Sequence, residues 1–243
     1  MERRPVSDAG QDLFGLVRSL WKVEADRPIA EILPRDPETL RSFYPRLRDF
    51  VSSAPRTHAG TIDPAAIVQG EILSMGEGSH IEAGAIIHSS CRLILGARSL
   101  VRAGAVLRDE VVVGDDSLVG VHCEVVRSVL LGPHTMLGHF IYLADSVVGR
   151  DVMVAGNVWV ANTTVSGGGT IPLVFKDTKI DSGRSHLGVL AGDGVRFGAS
   201  TTVCPGCIVL PNLVLPPSVT LYGTIDGAKR RALMKHFFRT WVD

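Results

Sequence analysis

The chain has 243 residues, in which 25 lysines and arginines balance 25 aspartates and glutamates. This length allows one or two domains, and the zero formal charge argues against a nucleic-acid-binding surface. No apolar run approaches the roughly 18 residues of a membrane-spanning helix. Met1 to Leu13 lacks the apolar segment of a signal peptide. We therefore expect a cytoplasmic protein with no nucleic-acid or membrane partner.

Residues 1–60 are predicted to form a helical N-terminal extension. One short amphipathic helix is expected around four apolar residues with i, i+3, i+6, i+7 spacing, namely Phe14, Val17, Leu20 and Trp21. A second helix is expected from Asp36 or Pro37 to Val51. Its apolar face would be formed by Leu40, Phe43, Tyr44, Leu47 and Val51.

A six-residue repeat begins at Ile62. Each unit has an apolar residue, often followed by glycine, and a small or apolar residue four places after the first. Val113 leads in this way to Ser117, and Leu131 to Thr135. The period is neither the 3.6 of a helix nor the 2 of a strand, and a fixed short period indicates a solenoid. Three units would close one triangular coil, with the apolar residue inside and the small residue at the bend.

The repeat predicts a solenoid over residues 61–223, because no single coil can bury its apolar face and coils must therefore stack. Its length corresponds to roughly eight coils of ~18 residues. The register slips near Ser74 and near Leu93-Ile94. An excursion loop is expected at 166–182, and a C-terminal helix at 224–243.

The four cysteines include a CxxC spacing at Cys204 and Cys207, which could indicate a redox or zinc site. A second pair at metal-binding spacing is missing. Cys91, Cys123 and Cys207 each fall at the small inward position of a repeat. We therefore interpret the cysteines as reduced structural thiols.

Four segments carry a resemblance to a known family. They are LGHFIYLADSVVG (137–149), VWVAN (158–162), SGRSHLGVLAGDGVRFGAS (182–200) and CPGCIVLPN (204–212). They resemble the hexapeptide-repeat acyltransferases, and particularly the C-terminal domain of sugar-1-phosphate nucleotidyltransferases that also act as glucosamine-1-phosphate acetyltransferases in UDP-N-acetylglucosamine synthesis. The resemblance implies a mainly β fold, a left-handed parallel β-helix with short N- and C-terminal helices. Residues 1–60 show no Gly-rich nucleotide loop, so the family's nucleotidyltransferase domain is not expected.

The resemblance also implies roles for five side chains. His139 stands at the general base that acts on the amino group of a hexosamine 1-phosphate, with Tyr142 three residues on. Asn162 stands where an asparagine helps to bind the acceptor or the acetyl group. Arg108 matches an arginine that holds the sugar phosphate, and Arg127 replaces a lysine. These types suit the chemistry, because imidazole titrates near neutral pH and guanidinium binds phosphate.

The donor implied by the resemblance is acetyl-coenzyme A, with no metal required for the acyl transfer. The family assembles as homotrimers with coenzyme A between neighbouring β-helices, and this implies a homotrimer here. Gly156 and Ala199 are then expected to lie along the cofactor, at positions that the family keeps small.

Two departures from the family pattern leave a second function open. The lysines that follow the family's asparagine are replaced by the run from Thr163 to Gly169, so Lys176 and Lys179 would have to reach back to bind substrate. A second acceptor-binding asparagine is replaced by Met153. The alternative is a non-catalytic trimeric module that binds a sugar nucleotide or a protein partner. In that case His139 is a surface residue, Arg108 and Arg127 are solvated, and Asn162 caps a turn.

Overall fold

The computed structural model describes residues 37–242 except Gly167, Lys176 and Asp177, and within 45–237 it describes the side chains of all these residues but Phe175 and Thr178. The helix expected around Phe14 and Trp21 lies outside the described residues, as does the expected substrate ligand Lys176. The helix expected to start at Asp36 or Pro37 is present. This helix, α1, spans Pro37–Ser53.

The repeat forms three parallel sheets that wind around one interior. Sheet 1 contains seven strands: β1 (Thr61–Ile62), β4 (His80–Ile81), β7 (Leu100–Val101), β10 (Leu118–Val119), β13 (Met136–Leu137), β16 (Met153–Val154) and β21 (Arg196–Phe197). Sheet 2 contains eight: β2 (Ile67–Val68), β5 (Ile86–Ile87), β8 (Val106–Arg108), β11 (Glu124–Val126), β14 (Tyr142–Ala144), β17 (Trp159–Val160), β22 (Thr202–Val203) and β24 (Thr220–Leu221).

Sheet 3 completes the triangle with eight strands: β3 (Glu71–Met75), β6 (Arg92–Leu95), β9 (Glu110–Val113), β12 (Val129–Leu130), β15 (Val147–Val148), β20 (Val189–Ala191), β23 (Cys207–Val209) and β25 (Thr224–Ile225). Each strand pairs in parallel with its equivalent on the next coil, as Glu124 does with Tyr142. The mainly β parallel solenoid predicted by the repeat is confirmed. A second helix, α2 (Gly227–Val242), follows the last coil.

Apolar side chains from all three sheets fill the interior. Val119, Leu137, Leu107 and Val125 are completely buried there. Burial of each such side chain stabilises the fold by about 1.5–3 kcal/mol. Ile62 faces the same column as the buried Ile81 but is 42% exposed, because no described coil precedes it.

The small residues at the bends also point inward, as the repeat predicts. Thr135 is buried, and its hydroxyl donates to the carbonyl of Gly149 at 2.6 Å. Cys123 is buried, and its thiol donates to the carbonyl of Gly138 at 3.3 Å. A buried polar group costs little only when it has such a partner. The short side chains of Thr135 and Cys123 can reach a backbone carbonyl at a tight bend, so each has its hydrogen-bond partner.

One repeat unit has a different register from the predicted one. Leu130, and not Leu131, pairs with Val113 and Val148 and lies in the interior. Leu131 is buried on the outer side of sheet 3. The bend before Thr135 therefore holds one residue more than its neighbours, and this insertion cannot be seen from the repeat because both leucines satisfy the apolar position.

Among the described residues, sheet 3 is covered on both faces, and sheets 1 and 2 keep exposed apolar side chains such as Met136 and Trp159 on their outer faces. The outer face of sheet 3 packs against Leu47 and Val51 of α1 and against Leu173 of a hairpin, and all three side chains are buried. The hairpin consists of the antiparallel strands β18 (Pro172–Phe175) and β19 (Thr178–Asp181), which lie between β17 and β20. Strands buried on both faces are apolar throughout, and this explains the irregular repeat near Leu93-Ile94.

The slip of register near Ser74 is confirmed, since the pairing of β3 with β6 shifts between Ile72 and Ser74. Within residues 37–242, neither helix is long and apolar enough to cross a membrane.

Candidate functional site

The bend between sheets 1 and 2 carries the expected general base. The amide of Asn157 donates to the carbonyl of His139 at 2.8 Å, and the amide of Ser200 donates to the carbonyl of Gly156 at 3.0 Å. His139, Gly156 and Ala199 consequently occupy equivalent positions on three successive coils. The backbone ladder thus places the two small residues in one column with the histidine. We call this column the His corner.

The His corner is open to the outside. The side chain of His139 is exposed. A Cβ added at Gly156 would meet only the carbonyl oxygen of His139, at 3.5 Å, which is ordinary contact. At Gly138, by contrast, a Cβ would lie 3.0 Å from the carbonyl oxygen of Val154. Gly156 therefore leaves room for a ligand to approach the backbone next to His139.

Aromatic side chains extend from this corner across the outer face of sheet 2. Glu124, Tyr142 and Trp159 lie side by side on three adjacent strands. The rings of Tyr142 and Trp159 stack with centroids 4.5 Å apart, and Trp159 is 56% exposed. Burial and the Glu124 carboxylate raise the pKa of the Tyr142 phenol. The phenol therefore stays protonated near neutral pH and can donate a hydrogen bond.

Arg108 lies at the other end of the same face. Its guanidinium forms an ion pair with Glu124, with an N–O distance of 2.7 Å. Its Nε is buried and has no hydrogen-bond partner among the residues that the structure describes. The Arg108 side chain as a whole is 40% exposed, so its guanidinium is accessible at the outer face of sheet 2.

The bend between sheets 2 and 3 carries a ladder of charged residues. Asp109, Arg127 and Asp145 occupy equivalent positions on successive coils, each with a positive φ, of 60°, 44° and 48°. Nη1 of Arg127 donates to Asp109 at 2.7 Å, and Nε donates to Asp145 at 2.8 Å. The hydrogen bond that Arg127 donates to Asp145 raises the pKa of Arg127. We call this ladder the Asp corner.

Asp145 is the centre of the Asp corner. It is completely buried, and it accepts hydrogen bonds from Arg127 and, at 2.7 Å, from Nδ2 of Asn162. The guanidinium of Arg184 lies 3.9 Å away. Three charged or polar donors thus compensate for the removal of this carboxylate from water.

The Asp corner also closes the base of the excursion that carries the hairpin. The amide of Leu187 donates to the carbonyl of Asn162 at 2.9 Å, and the amide of Gly188 donates to the carbonyl of Asp145 at 2.8 Å. The residues where the excursion leaves and rejoins the solenoid are therefore both fixed at Asp145.

The structure places seven of the predicted site residues on one side of the solenoid, at two corners and on the sheet between them. His139, Gly156 and Ala199 share the His corner, Asn162 and Arg127 share the Asp corner, and Tyr142 and Arg108 lie on the strands of sheet 2. Asp145 lies six positions after His139 in the chain, a span of at most ~20 Å. Lys179 is exposed on β19, opposite Val174 in the hairpin. Met153 is exposed on sheet 1 next to Met136.

The sequence predictions did not include Asp109, Asp145, Arg184 or Trp159. The signal for the two aspartates is their spacing, since each lies 18 residues from Arg127. In a solenoid with coils of this length, residues 18 apart stack at the same bend, so opposite charges at this spacing indicate an ion-pair ladder.

The thiols lie as predicted from the repeat. Cys91, Cys123 and Cys207 are buried, and Cys204 is partly exposed. Burial raises the pKa of Cys91 and of Cys207 to about 12. Within the described parts of the chain, no three His, Cys, Asp or Glu side chains are grouped so that they could hold a metal ion.

Comparison with known proteins gives partial matches. No family model matches the chain. It is 30% identical over 111 residues to the bifunctional protein GlmU of Methanococcus vannielii, which covers 46% of this chain and 26% of that protein. It is 30% identical over 100 residues to a bifunctional sugar-1-phosphate nucleotidylyltransferase/acetyltransferase of Sulfurisphaera tokodaii, which covers 41% of this chain and 24% of that one. The chain thus spans about a quarter of the length of these relatives.

Among solved structures, the polysialic acid O-acetyltransferase OatWY aligns over 70% of this chain and 79% of its own, with 17% identity and a TM-score of 0.29. The curated relatives bear the names of the bifunctional enzymes whose motifs this sequence shares. Taken with the repeat and the parallel solenoid, they confirm the resemblance of this chain to the hexapeptide-repeat acyltransferases.

Proposed function

We propose that the protein is an acyltransferase that moves the acetyl group of acetyl-coenzyme A to the amine of a sugar phosphate or nucleotide sugar. The observation that carries the proposal is the His corner, where an exposed imidazole is stacked with two small residues on an open column. The names of the curated relatives support the reaction class.

In the proposed reaction the acceptor amine attacks the carbonyl carbon of the thioester. A C–N bond forms, and His139 accepts the proton that the amine loses. The C–S bond then breaks, and the coenzyme A sulfur leaves and takes up a proton. The products are an amide and free coenzyme A thiol.

Tyr142 and Asn162 are the donors and acceptors proposed for the reacting groups. The raised pKa of Tyr142 keeps its phenol protonated, so it can donate to the acceptor or to the oxyanion that develops on the thioester. Asn162 would hold the acceptor at the Asp corner. Gly156 and Ala199 would leave space for the arm of the donor beside His139.

Arg108 is the proposed phosphate ligand, because its side chain is 40% exposed on the outer face of sheet 2 and it forms an ion pair with one carboxylate, that of Glu124. Arg127 is committed to two carboxylates, so we assign it a smaller share in binding the phosphate. Lys179, together with Lys176 from outside the described residues, would contact the acceptor only from the hairpin.

We propose a homotrimer as the assembly. Large apolar side chains are exposed on sheets 1 and 2, with Met136, Phe140, Met153 and Trp159 between 43% and 63% exposed. Contiguous exposed apolar side chains are typical of association surfaces. Light scattering at micromolar concentration should give three times the monomer mass, and the monomer mass itself would contradict the proposal.

The direct test of function is a transfer assay. Release of coenzyme A thiol from acetyl-coenzyme A is measured with hexosamine 1-phosphates and with UDP-linked amino sugars, and each is compared with the matching N-acetylated sugar, which has no free amine. We expect thiol release only with a free amine. Absence of acetyl-coenzyme A binding at millimolar concentration would contradict the enzyme proposal.

A non-catalytic binding module is the second candidate. Two observations favour it: Met153 offers no hydrogen bond where the resemblance implies an asparagine, and Arg127 is neutralised within the Asp corner. This module would bind a nucleotide sugar without releasing thiol from acetyl-coenzyme A, so calorimetry with the same panel of sugars distinguishes the two candidates.

A further inference from the structure

A carboxylate without a role in the proposed reaction lies next to two residues that have one. Asp145 is completely buried between Ala144 and Ser146, which are themselves buried. Water does not reach its carboxylate, so the protein must supply all the hydrogen bonds that keep it charged. Two of the side chains that donate hydrogen bonds to it, Arg127 and Asn162, are also proposed to bind the acceptor.

Asp145 determines which way the amide of Asn162 points. An ionised carboxylate can only accept hydrogen bonds, so the atom of Asn162 that faces it must be Nδ2 and not Oδ1. The carbonyl oxygen of the amide is then directed away from Asp145. With a neutral residue at position 145 the amide could turn over, because either end could find a partner.

Asp145 also fixes the plane of the Arg127 guanidinium. Nε and Nη2 donate to the two carboxylate oxygens, at 2.8 and 3.3 Å, and Nη1 donates to Asp109 at 2.7 Å. This two-point contact sets the orientation of a planar group far more strictly than a single hydrogen bond does. Asp109 accepts one hydrogen bond from Arg127, so it could neutralise the guanidinium but could not fix the orientation of its plane.

These contacts span three coils. Arg127 lies on the coil before Asp145 and Asn162 on the coil after it, while Asp145 itself follows His139 and Tyr142 on one coil. One buried carboxylate therefore connects the acceptor-binding side chains to the coil that carries the base.

We propose that Asp145 is a positioning residue, which orients Asn162 and Arg127 for the acceptor without contacting the acceptor itself. The inference rests on the proposed function, since it assigns a cause to the arrangement of the same site. It predicts that the charge on Asp145 matters to acceptor binding more than an equivalent ion pair elsewhere in the solenoid does.

The test compares Asp145→Asn with Asp193→Asn. Asp193 is a matched control, because it accepts two hydrogen bonds from the Arg150 guanidinium, at 3.1 and 2.7 Å, at a bend between sheets 3 and 1. Both variants lose one corner carboxylate of an Arg–Asp pair. Kinetics are measured on folded protein well below the melting temperature, and Asp145→Ser replaces Asp145→Asn if the latter does not fold.

We expect Asp145→Asn to lower kcat/KM for the acceptor by about 10- to 100-fold, the effect of losing charged hydrogen bonds. The KM for acetyl-coenzyme A should not change, and Asp193→Asn should keep the kinetics of the wild type. Equal acceptor kinetics in the two variants would overturn the proposal, because Asp145 would then have only a structural role.

A second readout does not depend on activity. The side-chain amide signal of Asn162, identified by its loss in Asn162→Ala, is followed by proton–nitrogen NMR. We expect it to move in Asp145→Asn and to stay in place in Asp193→Asn. An unmoved signal would overturn the positioning role even in an active enzyme. The wild type could fail every transfer assay while the Asn162 signal still moves in Asp145→Asn. That outcome would contradict the proposed reaction and leave the orientation of Asn162 by Asp145 established.

Discussion

Two bends of the same coil share one backbone geometry, but the first exposes its side chains and the second buries them. Phe140 at the His corner and Asp145 at the Asp corner both have positive φ, of 56° and 48°. Phe140 is 63% exposed, and Asp145 is completely buried within an ion-pair ladder. The neighbouring coils make the difference, because the next two coils place Gly156 and Ala199 beside His139, whereas Arg127 and Asn162 flank Asp145.

The comparison shows that the solenoid places the accessible proton acceptor at one bend and the rigid ion-pair ladder at another. A proton acceptor must be reached by substrate, and the two coils that follow His139 carry small residues at its position. Buried ion pairs add little net stability, so the ladder at the other bend is better explained by the geometry it imposes. The backbone repeat supplies both bends at a fixed spacing on one side of the molecule.

The largest expected effect lies beneath the His corner. Cys123→Arg places a charge at a fully buried position where the described structure offers no carboxylate, and this should cost a large part of the roughly 5–15 kcal/mol that stabilises a domain. We expect no cooperative melting by circular dichroism. Cys204→Arg is the control, because Cys204 is partly exposed. A Cys123→Arg protein that melts within a degree or two of the wild type would contradict the register of this coil.

The two corners should differ next in stability. Arg127→Met removes the hydrogen bonds that this guanidinium donates to the buried Asp145, and losing hydrogen bonds to a charged group costs about 1.5–3 kcal/mol. Phe140→Ala, at the exposed His corner, should change stability by under ~0.5 kcal/mol. Urea unfolding measures both. Similar losses of unfolding free energy in the two variants would contradict the view that the Asp corner is rigid and buried and the His corner is not.

Arg108→Ala should weaken binding of the acceptor without lowering the turnover number. Losing a charged hydrogen bond costs about 1.5–3 kcal/mol, so the acceptor KM should rise by about 10- to 100-fold with little change in kcat, since the phosphate contact exists in the ground state. The control is Arg98→Ala, which removes an exposed ion pair with Asp116 far from sheet 2. A fall in kcat at constant KM would instead place Arg108 at the reacting centre.

The smallest effect concerns the buried thiols. The pKa of Cys207 is about 12 in the folded protein, against an ordinary value of 9.0. The unfolded thiol loses its proton first, so stability falls as pH rises from about 9 towards 12, by about 1 kcal/mol near pH ~10. Cys207→Ala should make the fall in melting temperature between about pH 8 and 10 less steep without abolishing it, because the pKa of Cys91 is raised in the same way. Cys204→Ala should leave the slope unchanged. An equally steep fall in Cys207→Ala would contradict the assignment.

The sequence was sufficient to predict the solenoid because its repeat encodes burial directly. Apolar residues such as Val119 and small residues such as Cys123 recur at the spacing of the coil. The prediction failed at Leu131, where an inserted residue leaves two adjacent apolar candidates for one inward position. Only the pairing of Leu130 with Val148 decides between them.

Only part of the Asp corner could not be predicted from the repeat. Asn162 lies 17 residues after Asp145, so the coil spacing alone brings the two together, but the approach of Arg184 to Asp145 depends on where the excursion leaves and rejoins the solenoid. The length of an irregular excursion is not fixed by a repeat. The stacking of Tyr142 on Trp159 could have been inferred from the coil spacing, since the two residues are 17 apart.

The central claim, that the His corner carries the chemistry and the Asp corner the geometry, is tested most directly by the kinetics and stability of His139→Ala. Loss of a general base should lower kcat about 10²- to 10⁴-fold, with no change in the affinity for acetyl-coenzyme A and with unfolding by urea within ~0.5 kcal/mol of the wild type, because the side chain is exposed. Full turnover in His139→Ala, in a preparation whose wild type is active, would contradict the claim.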